Sequence, residues 1–98
     1  MARLFAVIRS RGAAWNDALP LEGQDGWRSH AGFMNALHAD GFVVVGGPLE
    51  GTADVLLIFR ARAVEEIAAR LEPDPWSRMD LLRITRVAPW DLRLGSLG

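Results

Sequence analysis

The chain has 98 residues, half of them hydrophobic, and a formal net charge of −1 at pH 7. This length suits one domain spanning residues 1–98, and the hydrophobic share argues against disorder. The near-zero charge gives no electrostatic reason to expect nucleic acid or an anionic membrane surface as a partner. No apolar run approaches the roughly 20 residues of a membrane span, and residues 1–10 are too short for a signal peptide. We therefore expect a cytoplasmic protein.

The side chains that are absent restrict the chemistry. Lysine, tyrosine and cysteine do not occur, so all 11 basic side chains are arginine. Disulfides, thiolate nucleophiles and Schiff-base formation are therefore excluded. Proton transfer near neutral pH is left to the two histidines, His30 and His38, and to carboxylates in unusual surroundings.

The first half of the chain predicts a strand, a long loop and a helix. Residues 4–8 are apolar and lie between two arginines, which is typical of a strand. Residues 10–25 form a loop long enough to suggest a functional role. A helix is expected between a cap at Asp25 and a stop at Gly41. Its apolar face carries Trp27, His30, Ala31, Met34, Leu37 and His38.

The second half predicts two strands, another helix and a final strand. Residues 42–45 form a strand ending at Gly46-Gly47-Pro48, and residues 54–60 form the next one. The short link between them favours an antiparallel hairpin. The spacing of apolar residues over 64–71 predicts the second helix. Residues 81–87 are predicted to form the last strand.

The order β-α-β-β-α-β predicts an α+β, ferredoxin-like fold, with one four-stranded antiparallel sheet and both helices on one face. A sheet with one wet face alternates apolar and polar residues, and these strands mostly do not. We therefore expect a homodimer packed through the open sheet face, the dimeric α/β-barrel arrangement. The alternative is that the loop of residues 10–25 covers part of that face.

Three landmarks resemble the YciI-like (YCII-related) family. They are His30 in the first helix, Gly46-Gly47-Pro48 after the second strand, and Asp74-Pro75-Trp76 after the second helix. The resemblance implies a dimeric α/β barrel and an enzymatic role for the histidine and aspartate that correspond to His30 and Asp74. At least one relative is similar to a dehydrochlorinase acting on a chlorinated, hydroxylated aromatic. The long loop of residues 10–25 departs from shorter members, so no substrate is carried over.

His30 and Asp74 are the candidate catalytic residues. Histidine titrates near neutral pH, and a neighbouring carboxylate would fix its tautomer. The alternative for His30 is a core histidine bound to a backbone carbonyl. The alternative for Asp74 is a helix cap, because an aspartate before proline is a good N-cap. Since a capping carboxylate stays ionised, we expect His30 to carry the proton and Asp74 to orient it.

Aromatic residues and a glycine pair are the candidates for a substrate pocket. The side chains suit a flat or cyclic ligand, although core or dimer packing would also explain them. Gly46-Gly47 either lets a ligand approach the backbone or ends a strand in a turn. The candidate pocket residues are Trp15, Trp27, Phe33, Gly46, Gly47, Pro48 and Trp76.

We expect neither a metal nor a cofactor. His30 and His38 are eight residues apart, which is too far for one ion on a straight helix, even with Asp40 nearby. Arginines 28, 83 and 86 could bind an anionic substrate, but exposed arginines are usually only solvated.

These features favour a cofactor-free enzyme that performs an elimination or isomerisation on a small, cyclic or aromatic substrate. The alternatives are a non-catalytic small-molecule-binding or accessory domain and a purely structural dimer module. Contact between His30 and Asp74 beside a cavity would separate the first two from the third.

Overall fold

The computed structural model of the protein describes residues 1–97, which form a single sheet with helices packed on it. The strands are β1 (Arg3–Arg11), β2 (Val43–Pro48), β3 (Asp54–Ala61) and β4 (Leu82–Pro89). The helices are α1 (Trp27–Ala39), α2 (Val64–Leu71) and the short α3 (Pro75–Arg78). A 3₁₀ turn at Leu21–Gly23 lies in the long loop between β1 and α1.

The sheet has the strand order β2-β3-β1-β4, and all its pairings are antiparallel. This order confirms the ferredoxin-like α+β fold that the element sequence predicts. In the central pair, Phe5 lies opposite Phe59 and Val7 lies opposite Leu57. Because side chains alternate along a strand, these four residues share one face of the sheet.

The hydrophobic core lies on that face. α1 contributes Leu37 to the core, and α2 contributes Ile67 and Leu71. These side chains join a cluster from the strands that consists of Phe5, Val7, Val43, Leu57, Phe59 and Ala61. All three helices therefore lie on the same side of the sheet, with Trp76 of α3 packed beside Leu81 and Leu82 in a second cluster.

The opposite face of the central strands is also apolar. Leu4, Ala6 and Ile8 alternate with the inward residues of β1, and Leu56 and Ile58 do so in β3. The loop of residues 10–25 packs on the helix-bearing side instead, because Trp15 contacts Trp76 edge to face with ring centroids 5.6 Å apart. The alternative in which this loop covers the open face is thus not the arrangement observed.

Two boundaries differ from the sequence predictions. α1 is capped by Gly26 in the left-handed conformation, not by Asp25, whose carbonyl accepts a hydrogen bond from Trp76 Nε1. β2 continues through Gly46-Gly47 to Pro48, because Gly46 pairs with Leu57 and Pro48 with Val55. The turn comes later, where Gly51 has a φ of +79°. Gly41 ends α1 as predicted, with a φ of +80°.

The three helices are short, and none in residues 1–97 combines the length and apolar character needed to cross a membrane.

Candidate active site

Asp74 lies at the centre of the site, and its side chain is completely buried. It occupies the N-cap position of α3, directly before Pro75, and its Oδ1 accepts a hydrogen bond from the Trp76 amide at 3.0 Å. Proline at the first helical position has a suitable φ and no amide hydrogen to satisfy. The Asp-Pro pair therefore holds the carboxylate in place through local geometry, as the sequence predicts.

His30 reaches this carboxylate from α1. Its Nδ1 lies 2.9 Å from Oδ1 and 3.0 Å from Oδ2 of Asp74, and the residue is 8% exposed. An ionised carboxylate only accepts hydrogen bonds, so the hydrogen of the neutral imidazole belongs on Nδ1. Nε2 then carries the lone pair, and it has no hydrogen-bond partner among residues 1–97. Such a nitrogen can accept a proton from a bound molecule.

Arg9 completes the cluster, and the sequence analysis missed it. Its Nη1 donates to Asp74 Oδ2 at 2.8 Å, and its Nη2 donates to Ser77 Oγ at 2.8 Å. The residue is 1% exposed. Strand alternation could have identified it, since Arg9 follows Phe5 and Val7 on the inward face of β1. A charged residue at a buried position of this kind needs a partner.

Asp74 is held in its ionised form by these neighbours. Burial alone would raise the pKa of Asp74, because a charged group is poorly solvated in the protein interior. Hydrogen bonds from His30 and Arg9, attraction to His30 and the Trp76 amide outweigh that effect. The pKa of Asp74 is consequently lowered from its usual 3.8, and the carboxylate can orient His30 at neutral pH.

Tryptophan rings fix the imidazole from its sides. Trp76 stacks on His30 with ring centroids 3.9 Å apart and planes 6° from parallel. Trp27 lies on α1 one turn earlier and is tilted against His30 at 6.1 Å. Trp76 is itself held by its Nε1 bond to the Asp25 carbonyl and by the edge of Trp15. The ring of His30 therefore has little freedom to rotate.

A cavity of about 260 Å³ opens beside His30. Among the lining residues in the described range 1–97, Arg9 and His30 have ionisable side chains, and most of the others are apolar. The cavity is lined by Arg9, Leu21, Trp27, His30, Ala31, Met34, Asn35, Gly46, Gly47, Pro48, Val55, Leu57 and Leu82. Its volume is slightly below the usual range for ligand pockets, which is about 300–1,000 Å³.

Some of the residues expected to line a pocket line this cavity, and others do not. Trp27 and the segment Gly46-Gly47-Pro48 line the cavity. Trp15, Phe33 and Trp76 are not among its lining residues, although Trp15 lines a neighbouring cavity. Phe33 packs against the main core, whereas Trp15 and Trp76 form the aromatic layer behind His30. The sequence shows that an aromatic residue lies on a helix or in a loop. It does not show which neighbouring side chains the ring contacts.

The two glycines of β2 have different surroundings. A Cβ on Gly46 would lie 2.3 Å from Leu57 Cδ2, whereas a Cβ on Gly47 would meet nothing within 4 Å. The side chain of Leu57 occupies the space where a Cβ on Gly46 would lie, so a larger residue there would displace it. Gly47 pairs with Leu56, whose side chain lies on the open face of the sheet. The segment is therefore a cavity-lining edge strand, not the turn considered from the sequence.

The remaining polar candidates lie away from this cluster. His38 Nδ1 donates to the Val43 carbonyl at 2.9 Å, which satisfies it within the backbone. Arg83 pairs with Asp80 on the surface, and Arg28 is exposed. Within residues 1–97, no group of three or more histidine and carboxylate side chains is placed to hold a metal ion.

Comparison with solved structures finds a likeness to the 5-chloro-2-hydroxyhydroquinone dehydrochlorinase TftG of Burkholderia phenoliruptrix AC1100, in complex with 2,5-dihydroxybenzoquinone. The TM-score is 0.69 at 25% sequence identity, and the likeness covers 90% of this chain and 93% of that chain. No family model and no curated protein sequence matches the chain. The structural likeness supports a YciI-like fold, and over nearly all its length the chain is similar to an enzyme that acts on a small molecule.

Proposed function

We propose that this protein is a cofactor-free enzyme of the YciI-like family in which His30 transfers a proton to or from a small cyclic substrate. One arrangement carries the proposal. The Nδ1 of His30 is bound to Asp74 at 2.9 Å, while the same imidazole lines a cavity and its Nε2 has no partner within residues 1–97. Positioned general bases of this kind accelerate reactions by about 10²–10⁴-fold.

The proposed reaction is an elimination or an isomerisation. Nε2 of His30 accepts a proton from the bound substrate, and the electron pair of the broken bond forms a new double bond. In an elimination, a leaving group on the neighbouring atom departs with its bonding electrons. In an isomerisation, the imidazolium returns the proton to another atom of the substrate. Asp74 stays ionised throughout and holds the Nδ1 hydrogen.

The lining of the cavity supports a flat, largely apolar substrate. Trp27, Met34, Val55 and Leu57 supply apolar walls, and the volume of about 260 Å³ suits a small ring compound. The dehydrochlorinase that the chain resembles acts on a chlorinated, hydroxylated ring. We therefore propose ring compounds that carry hydroxyl or halogen substituents as the first candidates.

We also propose that the protein forms a homodimer through the open face of its sheet. The apolar residues Leu4, Ile8 and Leu56 lie on this face, and Val45 is 46% exposed. Apolar surface of this kind is stabilised when a second copy covers it. Sedimentation equilibrium is expected to give a dimer for the wild type and a monomer for Ile8→Glu. A monomeric wild type would contradict this part of the proposal.

The enzymatic proposal is tested with 5-chloro-2-hydroxyhydroquinone and with a panel of halogenated and hydroxylated ring compounds. Chloride release or a change in ring absorbance reports turnover. His30→Ala is expected to lower kcat by about 10²–10⁴-fold. His38→Ala is the matched control, because His38 is the second histidine of the chain and bonds to the Val43 carbonyl.

Turnover that persists unchanged in His30→Ala would contradict the proposed role of His30. If 2,5-dihydroxybenzoquinone quenches tryptophan fluorescence in both wild type and His30→Ala, and no compound of the panel is turned over, the protein is a binding domain instead. Circular dichroism of each variant establishes that the fold is retained.

A further inference from the structure

The contact between His30 and Asp74 raises a difficulty for a histidine that acts as a base. A buried carboxylate next to an imidazole attracts a proton to the imidazole. Asp74 is fully buried, and both its oxygens lie within 3.0 Å of His30 Nδ1. With no other charge present, such a pair favours the imidazolium, which has no lone pair with which to accept a proton.

Arg9 supplies the missing charge. Its guanidinium lies 2.8 Å from Oδ2 of Asp74, and both side chains are almost completely excluded from solvent, at 1% and 0% exposure. Solvent screens charges weakly at such a site, so the positive charge of Arg9 opposes the field that Asp74 exerts on His30. The cluster of Arg9, Asp74 and neutral His30 has a net charge of zero.

Arg9 is poorly explained by stability alone. Its Nε is buried and has no hydrogen-bond partner in the described part of the chain, residues 1–97, which leaves one donor of the guanidinium unsatisfied. Buried ion pairs are often no more stable than apolar side chains of similar volume. Since the buried Nε of Arg9 lacks a partner, the presence of arginine at this inward position needs an explanation other than stability.

We propose that Arg9 is a positioning residue that keeps His30 in its base form. It does so by neutralising Asp74, so that Asp74 orients the imidazole through the Nδ1 hydrogen without drawing a second proton onto Nε2. Ser77 extends the arrangement, because its Oγ accepts from Arg9 Nη2 and donates to the Leu71 carbonyl at 2.7 Å. The inference rests on the proposed function of His30 and adds to it a reason for the histidine's protonation state.

The other groups around His30 carry no charge that competes with this pair. α1 presents Trp27, Met34 and Asn35, and the strands present Gly46-Gly47, Val55, Leu57 and Leu82. Trp76 of α3 lies flat against the ring. Among residues 1–97, Asp74, in contact with the ring, and Arg9, paired with Asp74, are therefore the charged groups of this cluster.

Nitrogen NMR of isotope-labelled histidine tests this proposal without a substrate. The chain has two histidines, and His38 is the internal control. In the wild type, His30 is expected as the tautomer with hydrogen on Nδ1 and a free Nε2. In Arg9→Met, the pH at which half of His30 is protonated is expected to rise by about one unit, because Asp74 is no longer neutralised.

Arg9→Lys restores the charge and is expected to return the midpoint of His30 to within about half a unit of the wild-type value. The midpoint of His38 is expected to stay constant in every variant. An unchanged or lower midpoint for His30 in Arg9→Met would overturn the proposal. So would equal movement of His30 and His38, since that result indicates a general loss of structure.

A double variant covers the case in which Arg9→Met does not fold. Arg9→Met with Asp74→Asn removes both charges together, a change that buried pairs often tolerate. If Arg9 offsets Asp74, the midpoint of His30 in this variant lies within about half a unit of the wild type. A fall of about one unit or more would show that Asp74 dominates in the wild type and would overturn the proposal.

The titration and the turnover assay fail independently. If Arg9→Met raises the midpoint but His30→Ala retains full turnover, the tuning exists and the proposed function is wrong. If His30→Ala is inactive but the midpoint does not move in Arg9→Met, the proposed function stands and the inference about Arg9 is wrong.

Discussion

Two pairs of aspartate and arginine in this protein have similar hydrogen-bond distances and opposite surroundings. Arg9 and Asp74 meet at 2.8 Å, with side-chain exposures of 1% and 0%. Arg83 and Asp80 meet at 2.7 Å, with exposures of 58% and 43%. Each aspartate also accepts a backbone amide, from Trp76 in one case and from Ala13 in the other. The pKa of each carboxyl is lowered.

The causes of the two pKa shifts show that an ion pair has different effects when it is buried and when it is exposed. For Asp74, burial is the largest influence and opposes the lowering, so several partners must act against it. For Asp80, the hydrogen bond from Arg83 is the largest influence and lowers the pKa, and burial is a smaller influence that opposes it. The exposed pair joins two residues three positions apart, and Asp80 also binds the Ala13 amide at the start of the long loop. The buried pair instead acts on a third group, His30, because water does not screen it.

The largest expected difference concerns stability. Asp74→Asn leaves the guanidinium of Arg9 buried without its counter-charge, a loss that typically costs about 3–5 kcal/mol. We expect this decrease in the free energy of unfolding from urea denaturation followed by tryptophan fluorescence. A decrease below about 1 kcal/mol would mean that the buried pair behaves like a surface pair.

The next difference appears in acid. Because the pKa of folded Asp74 lies below the usual 3.8, its charge stabilises the folded state above that pH. This contribution is lost as the pH falls through the lower, folded-state pKa. The gap in unfolding free energy between wild type and Asp74→Asn is therefore expected to narrow as the pH falls below about 4. A gap that widens in acid would contradict the assignment.

The smallest effect is expected at the surface. Arg83→Ala removes the exposed pair and is expected to change the free energy of unfolding much less than Asp74→Asn does. Urea denaturation at low and high salt measures this change, and added salt is expected to reduce it further. Arg83 is replaced and Asp80 is not, because Asp80 has a φ of +57°. A substitution at Asp80 would also change the backbone strain. A salt-independent loss of several kcal/mol would remove the distinction between the two pairs.

Whether the sequence predicts a site residue depends on whether that residue is positioned by its neighbours in the chain or by distant contacts. Asp74 before Pro75 is a local signal, so its capping role was predictable. The inward position of Arg9 was predictable from strand alternation after Phe5 and Val7, although its partner was not. The lining of the cavity was predicted only in part, since Trp76 lies behind His30 and Phe33 joins the core.

The continuation of β2 through Gly46-Gly47 shows a similar limit. A glycine pair indicates a turn when only the sequence is considered, without the strand that lies beside it. Here Gly46 has a Leu57 side chain against it that leaves no space for a Cβ. The strand continues because β3 offers it hydrogen bonds and close packing, which depend on residues about ten positions further along the chain.

Periodicity, turn residues and the order of the elements were sufficient to predict the ferredoxin-like fold, because each acts over a few neighbouring residues. The same local rules placed His30 on the buried face of α1 and Asp74 at a helix start. The tertiary structure alone decided that these residues meet each other and Arg9, 65 residues away from Asp74 in the chain. Such contacts depend on how helices pack across the sheet, and a buried charge can be satisfied by any partner that the fold brings within reach.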